Sequence, residues 1–568
     1  MKRLALIIAT LVLLRAHAWG QAWLVWLDTA VVYQIYPSSF QDSDGDGIGD
    51  LKGIISRLDY VKRLGVNVIW LNPVFASAWQ DGGYDVTDFY QVDPRFGDTR
   101  DLLQLIHEAH RRGIRVCLDL VAGHTSNQHP WFKASGELRT NRYSDYYIWT
   151  DSINDAERAT LERRHRTHDP AIATWGSYGL ANAPRAKYYR KNYFEHQPAL
   201  NYGFANADPN DPEQQPIDAP GPRAVRRQLQ DIMSYWLDRG VDGFRVDMAS
   251  SLIKNDDDKR ENIRLWQQMR QWLDGEYPDR LLIAEWSQPE QSLLAGFHLD
   301  FMIHFGLRGF DALFLPKGAP DCGDYEYCYF DRSGLGSYVP FITNYINARN
   351  ATRQWGYITV PTSNHDVIRP NNGTRNTLDQ LKVCLMFCLT MPGPPTIYYG
   401  DEIGMKYQPD APDKEGARYR AGSRTPMQWS NGLNAGFSTC LPADLYLPID
   451  TDGGALTVET QEKDHNSLLW MVRNVLSLRQ QYPALGNTGD WQLLSDMSTP
   501  YPMVYARWNA TSRLIVALNP SGDAVTTTIP HQDDIAGRAL IECGQCSFIP
   551  CATGDRLTLA PFTAVILQ

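Results

Sequence analysis

The stretch Val225–Asp247, VRRQLQDIMSYWLDRGVDGFRVD, sets a helix, a turn and a strand in consecutive residues and ends on an acid. Val225, Leu229, Ile232, Met233, Trp236 and Leu237 recur at spacings of four, three, one, three and one, which builds a single apolar helical face. The short run Gly243–Val246 that follows reads as a buried strand, with Asp247 just past it. Three more acids stand in the same relation to a short apolar run: Asp119 with Arg115–Leu120, Glu285 with Leu281–Ala284, and Asp366 with Tyr357–Pro361. Each run comes after a stretch of helical period, the alternation expected of parallel strands joined by crossover helices. In a (β/α)₈ barrel the functional groups sit where the strands end, so the four acids belong on one rim. Like charges ~4 Å apart repel by roughly 4 kcal/mol at an effective dielectric near 20. Converging carboxylates are therefore a poor way to stabilise a fold, and they point to catalysis.

Working outward, further strands are predicted at Val31–Tyr36, Val68–Leu71, Asp300–Ile303 and Thr396–Tyr399, which completes a set of eight. The connection between Leu120 and Gly243 is far too long for one helix and is rich in aromatic, Asn and Pro residues. Loops beyond ~15 residues without structure of their own are uncommon, so a small inserted domain is expected at 125–205, over the active rim. After a helix at Ser467–Gln481 the pattern changes to short alternating runs such as Arg513–Leu518, Thr526–Ile529 and Phe562–Leu567. The predicted fold is α/β: a (β/α)₈ barrel formed by 26–124 and 206–484, an inserted domain at 125–205 after strand three, and a C-terminal antiparallel β-sandwich at 485–568.

Composition narrows the function. At 568 residues and 43% hydrophobic the chain can bury a large core, and a net charge of −11 offers no basic field for nucleic acid. Lys2 and Arg3, the apolar Leu4–Leu14 and then Ala16-His17-Ala18 have the three parts of a secretory signal over residues 1–18. The apolar run is well short of the ~20 residues a bilayer span needs, so a secreted or periplasmic protein without a membrane span after signal removal is expected. Nine cysteines cannot all pair internally. Cys117, Cys384 and Cys388 read as buried thiols, while Cys322 with Cys328, and pairs among Cys440, Cys543, Cys546 and Cys551, are disulfide candidates in an exported chain.

Seven blocks occur in order: Gly65-Val-Asn-Val-Ile-Trp-Leu71, Asp119-Leu-Val-Ala-Gly-His124, Gln197-Pro-Ala-Leu-Asn201, Gly243-Phe-Arg-Val-Asp247, Ile283-Ala-Glu285, Asn364-His365-Asp366 and Gly393-Pro-Pro-Thr-Ile-Tyr-Tyr-Gly-Asp401. Together they resemble the α-amylase family, glycoside hydrolase family 13, from about Trp26 to the C-terminus. The resemblance implies that Asp247 is the nucleophile, Glu285 the general acid and then base, and Asp366 the stabiliser of the transition state. Retaining glycosidases hold two carboxyl groups ~5–5.5 Å apart, so that one attacks the anomeric carbon while the other protonates the departing oxygen. Arg245, two residues before Asp247 on a strand, faces the same side and should keep that carboxylate ionised. Glu285 needs a raised pKa, for which the neighbouring Trp286 is an expected cause. Asp119 is expected to orient Arg245, and His124 and His365 to hydrogen-bond sugar hydroxyls. Two positions depart from the family pattern: Gly123 stands where Asn is usual, which weakens a calcium site there, and Ala199 where an acid is usual.

Asp42-Ser-Asp44-Gly-Asp46-Gly-Ile48-Gly-Asp50 sets oxygen ligands at alternate loop positions with Gly47 at the sharp turn, as a Ca²⁺ loop requires. Gly53 stands where an EF-hand has Glu, so this is no EF-hand. It resembles the calcium loop of the oligo-1,6-glucosidase branch, with Asp42, Asp44, Asp46, Asp50 and the Ile48 carbonyl as ligands of a structural Ca²⁺; no organic cofactor is implied. Tyr33-Gln-Ile-Tyr-Pro37, Asp81-Gly-Gly-Tyr84-Asp85 and Arg424-Thr-Pro-Met-Gln-Trp429 suggest the same branch. There Asp81 and Arg369 would grip a terminal glucose and Tyr84 would stack on it, which implies an exo-acting α-glucosidase on malto-oligosaccharides or related α-glucosides. Thr125-Ser-Asn-Gln-His-Pro-Trp131 and His196-Gln-Pro resemble trehalose synthases, so a transglucosylase stands as the alternative, beside an α-amylase of longer glucans. A non-catalytic binding relative is the reading from another class; such proteins commonly lack catalytic acids, and this chain has all three.

Overall fold

A computed structural model describes residues 23–167, 177–303, 305–307, 309–315, 317–319, 325–450 and 456–568. The signal segment and Cys322 lie outside them. Eight parallel strands form a nearly closed barrel: β1 Val32–Ile35, β2 Val68–Leu71, β3 Arg115–Leu120, β4 Gly243–Val246, β5 Leu281–Ala284, β6 Leu299–Phe301, β7 Tyr357–Thr359 and β8 Thr396–Tyr398. Their order around the sheet is β7-β6-β5-β4-β3-β2-β1-β8. Closure between β7 and β8 comes from a single bridge, Pro361 to Thr396, and from the Thr362 N–H donating to the Thr396 carbonyl at 3.0 Å. The expected seventh strand ran to Pro361; its ladder with β6 stops at Thr359, and Pro361 makes only the isolated bridge to Thr396.

Helices form where caps and apolar faces coincide. α1 (Leu51–Leu64) starts on Asp50, whose side chain accepts from the Gly53 N–H, and ends on Gly65 at φ 100°. α2 (Thr99–Arg111) opens with a capping box of Asp98 and Asp101. α3 (Pro220–Leu237) buries the six predicted face residues, Val225 to Leu237, and leads into β4. α4 (Arg260–Glu276) runs between β4 and β5, and α5 (Val339–Thr352) and α6 (Leu378–Thr390) precede β7 and β8.

Between β2 and α2 lies a hairpin the alternation of helix and strand did not reveal, Phe75–Ser77 with Val86–Val92, its register broken at two points. The long connection after β3 carries a small antiparallel sheet, Trp149–Thr150, Tyr188–Arg190 and Tyr178–Leu180, and the helices Pro130–Ser135 and Asp155–Thr167. The C-terminal strands make a five-stranded and a three-stranded antiparallel sheet, with Val504, Ile515, Leu557, Leu559 and Val565 in a core of their own. Arg507, buried, joins this part to the barrel by donating to the Thr390 carbonyl, beside which Arg479 of the helix Leu468–Gln481 donates to the Leu389 and Met391 carbonyls at 2.7 and 3.1 Å. Cations at the last turn of α6 satisfy its unpaired carbonyls and its dipole.

Cys117, Cys384 and Cys388 are buried thiols. The expected disulfides are absent among the described residues, where Cys328, Cys440, Cys543, Cys546 and Cys551 are all free thiols. Cys543 and Cys546 stand in strands of different sheets, Cys440 is bonded by the Asn434 amide and Cys328 by Arg375 at 3.7 Å. No helix among the described residues is long and apolar enough to cross a membrane.

Asp300 in β6 fastens the loop after β5, accepting from the Ser287 and Gln288 N–H groups at 2.9 and 3.0 Å and from Ser292 Oγ at 2.6 Å. Burial pushes its carboxyl up to about 7 in spite of these donors. Unfolded, it titrates near ~3.9, so between about pH 4 and 7 the folded chain holds a proton that the unfolded chain does not. Its contribution is fully present below that window and is lost as pH rises through 7. The Tm difference between the wild type and Asp300→Asn, measured by thermal melts, should therefore be larger at pH 5 than at pH 8; a difference that is constant or widens with pH contradicts this.

Candidate active site

The parallel register sets Asp119 of β3 directly beside Arg245 of β4. Arg245 and Asp247, two residues apart, face the same side, and Glu285 follows the neighbouring β5. Arg245 is buried and acts as the hub: Nη1 lies 2.7 Å from Asp119 Oδ1 and 3.0 Å from Asp247 Oδ1, and Nη2 lies 2.9 Å from Glu285 Oε2. Trp70 Nε1 and the Tyr84 hydroxyl donate to the other oxygen of Asp119 at 3.1 and 2.9 Å. Met248, directly after Asp247, adopts φ 45° and ψ 42°, a left-handed conformation that costs a side-chain-bearing residue of order 1–3 kcal/mol. That turn aims its N–H at Glu285 Oε2, 2.7 Å away.

Three carboxylates share one guanidinium, so charge is not balanced. Burial, then the charge of Glu285, pushes Asp247 well above the usual carboxylate range against the pull of Arg245. Burial pushes Asp119 up to about 6 against the same arginine. Trp286 is not the wall expected beside Glu285. Next along an extended chain, it turns to the opposite face, where its indole donates to Gln291 and its ring meets Phe297.

Asp366 stands in the loop after β7, held by two arginines from the loop after β8: Arg420 Nη1 at 3.1 Å and Arg424 Nη2 at 2.9 Å. Burial opposes its ionisation, but His365, Arg420 and Arg424 keep the carboxyl well below the usual range. Burial keeps His365 itself neutral, which leaves the two arginines as the cations that matter. Arg420 also reaches Asp81 Oδ1 at 2.8 Å, and Gln197 Nε2 donates to the other Asp81 oxygen at 2.7 Å. Asp81 and Tyr84 both lie in the turn of the hairpin between β2 and α2. Tyr84 stacks on His365 at 5.3 Å and 9° and is buried. His124 bonds the Tyr84 carbonyl at 3.0 Å and Asn192 at 2.8 Å, and burial lowers its pKa to about 4. A side chain on Gly123 would begin 3.1 Å from that same Asn192 amide, a tight contact.

These groups surround a cavity of about 300 Å³. Asp81, Tyr84, His124, Asp247, Glu285 and Asp366 line it, together with Arg418, Arg420, Phe194 and Phe305. Arg369 does not. It is fully buried and bonded to Asp401 Oδ1 and the Tyr399 carbonyl, each at 2.8 Å. The arginine facing Asp81 is Arg420, which no strand end or helical period marks in the sequence. Arg424 stood in a block already quoted, but nothing there pointed to Asp366.

In the loop before α1, single oxygens of Asp42, Asp44 and Asp50 lie within 4.8 Å of one another. Asp46 and Ile48 belong to the same loop, where the Ile48 N–H donates to Asp46 at 2.8 Å. Burial and the charges of Asp44, Asp42 and Asp50 push the Asp46 carboxyl up. Crowded carboxylate oxygens suit a hard dication.

A parallel eight-stranded barrel whose rim gathers carboxylates and arginines around a cavity defines an enzyme of the (β/α)₈ class, with acid–base and nucleophilic groups ready made. Residues 34–488 match the catalytic domain of alpha amylase. The trehalose synthase/amylase of Mycolicibacterium smegmatis is 33% identical over 525 residues, covering 85% of this chain and 80% of its own length. An oligo-1,6-glucosidase of Parageobacillus thermoglucosidasius is 29% identical, covering 89% and 92%. The crystal structure of the trehalulose synthase of Pseudomonas mesoacidophila superposes with a TM-score of 0.75 at 26% identity, over 95% of this chain and 99% of the other. The chain belongs to the alpha-amylase family and is an enzyme acting on α-glucosides.

Arg245→Gln should cost ~3–5 kcal/mol of folding stability at pH 7, because it strands buried carboxylates without their cation. At pH 5 the loss should be smaller, since those carboxylates then take up protons. Urea unfolding at the two pH values measures this; an equal loss at both contradicts the hub.

Proposed function

We propose that the protein is a retaining, exo-acting α-glucosidase that removes a terminal glucosyl unit through a covalent intermediate. One observation carries this function: a single guanidinium lies 3.0 Å from Asp247 and 2.9 Å from Glu285. Two carboxyl groups held on one fork suit the short separation of retaining enzymes, not the ~6.5–9.5 Å of inverting ones. Asp247 attacks the anomeric carbon while Glu285 gives its proton to the departing glycosidic oxygen. Glu285 then takes a proton from water, whose oxygen displaces Asp247 from the anomeric carbon. Positive charge growing at the anomeric carbon favours the carboxylate form of Asp247, while Glu285 delivers its proton to the departing oxygen. Asp366, kept ionised by Arg420 and Arg424, faces the same charge. The Asp81–Arg420–Asp366 bridge closes one end of the cavity, which favours chain ends over the interior bonds that an α-amylase cuts.

Transfer of glucose to a second sugar is the other reading, favoured by the 33% identity to a trehalose synthase/amylase. Incubation with maltose, isomaltose, sucrose, trehalose and starch, followed by product identification, separates the two: free glucose from disaccharides supports hydrolysis, and a rearranged disaccharide supports transfer. Asp247→Asn should lower turnover at least about a thousandfold with an unchanged circular dichroism spectrum. Residual activity well above that level sinks the nucleophile role.

Export through residues 1–18 is part of the same proposal, since it suits digestion of external oligosaccharides. A structural Ca²⁺ held by Asp42, Asp44, Asp46, Asp50 and the Ile48 carbonyl is proposed as well; it would neutralise the loop that caps α1. A chelator should lower Tm by several degrees, added Ca²⁺ should restore it, and Asp42→Asn with Asp44→Asn should abolish the response. An unchanged Tm in chelator removes the metal from the account.

A further inference from the structure

A second cavity, of about 290 Å³, opens between α3 and α4, the helices on either side of β4. Its α3 wall carries Arg223, Arg226 and Arg227, its α4 wall Leu265 and Met269, and Asp218 stands at one end. The charges do not balance. One oxygen of Asp218 serves two guanidiniums at a distance, 3.5 Å from Arg223 and 3.8 Å from Arg226, and Asp218 itself is 71% exposed. Arg227 makes no ion pair among the described residues. The Arg226 side chain is only 16% exposed and spends its Nη2 on the Ile217 carbonyl at 2.5 Å.

Such a cluster is unfavourable in the empty protein. Arg223 stands three residues before Arg226 and four before Arg227, spacings at which like charges oppose each other on a helix. Three arginines thus face one aspartate in a chain whose net charge is −11. No aromatic ring lines the cavity, so it lacks the flat apolar face that sugar rings use. What the walls offer is planar, forked donors, with Gln230 and Gln268 amides beside them, and this chemistry matches the oxygens of a phosphate.

We propose that the groove between α3 and α4 is a binding site for a phosphate group, either free phosphate or the phosphate of a sugar monoester. The volume takes a phosphate with room for an attached sugar, and Leu265 and Met269 form an apolar floor under it. The site is separate from the glucosyl cavity and stands whether or not the proposed hydrolysis is correct.

Isothermal titration with inorganic phosphate, glucose 1-phosphate and glucose 6-phosphate tests it, at constant ionic strength set with chloride and with 1-deoxynojirimycin saturating the active site. Saturable binding of one ligand per chain is expected, weakened at least tenfold in Arg223→Gln with Arg227→Gln. Both positions are exposed and glutamine is a good helix former, so the double variant should melt no lower than the wild type. Tighter binding of a sugar phosphate than of phosphate identifies the ester as the ligand, and equal binding identifies free phosphate. Heats no larger than those of matched chloride, or an affinity unchanged in the double variant, overturn the site.

Discussion

A buried guanidinium, Arg245, holds the acids of β3, β4 and β5 together, and the rest of the site is arranged around that contact. Its cost is large, because three carboxylates and one cation leave water together and the Coulomb gain from one arginine cannot offset all their repulsion. The barrel tolerates this because it fixes the partners rigidly: parallel register sets Asp119 beside Arg245, and strand alternation sets Asp247 on the same side. The imbalance is resolved by protons, which is why burial raises Asp247 and Asp119 in spite of the arginine. Buried carboxyls whose proton affinity is raised in this way suit acid–base chemistry.

The second half of the cavity uses the opposite balance. Asp366 has two arginines, one of them shared with Asp81, so Asp366 stays ionised where burial raises Asp247 and Asp119. Asp366 and Asp247 are thereby pushed apart in proton affinity, which is how one site assigns different roles to one kind of side chain. The loops after β7 and β8 and the hairpin between β2 and α2 supply this half.

Much of this was legible in the sequence because barrel strands buried on both faces read as short apolar runs, and acids at their ends break the pattern visibly. Asp119, Asp247, Glu285 and Arg245 were found that way, as was the apolar face of α3. Arg420 was not, since it lies in an irregular loop far along the chain and meets Asp81 only because β8 pairs with β1, next to β2. The branch resemblance assigns Arg369 to the sugar, but the chain turns it inward to Asp401 and Arg420 faces Asp81 instead. The hairpin holding Asp81 escaped because its broken register hides the alternation. Cysteine count and an export signal suggested disulfides, whereas packing separates the thiols between sheets and cores.

The central claim, that Asp247 and Glu285 act from opposite sides of the anomeric carbon in two successive displacements with net retention, is tested most directly by the configuration of the first product. Proton NMR of glucose released from maltose, recorded within the first minutes and before mutarotation, should show the α-anomer in excess. Initial release of the β-anomer would contradict the account.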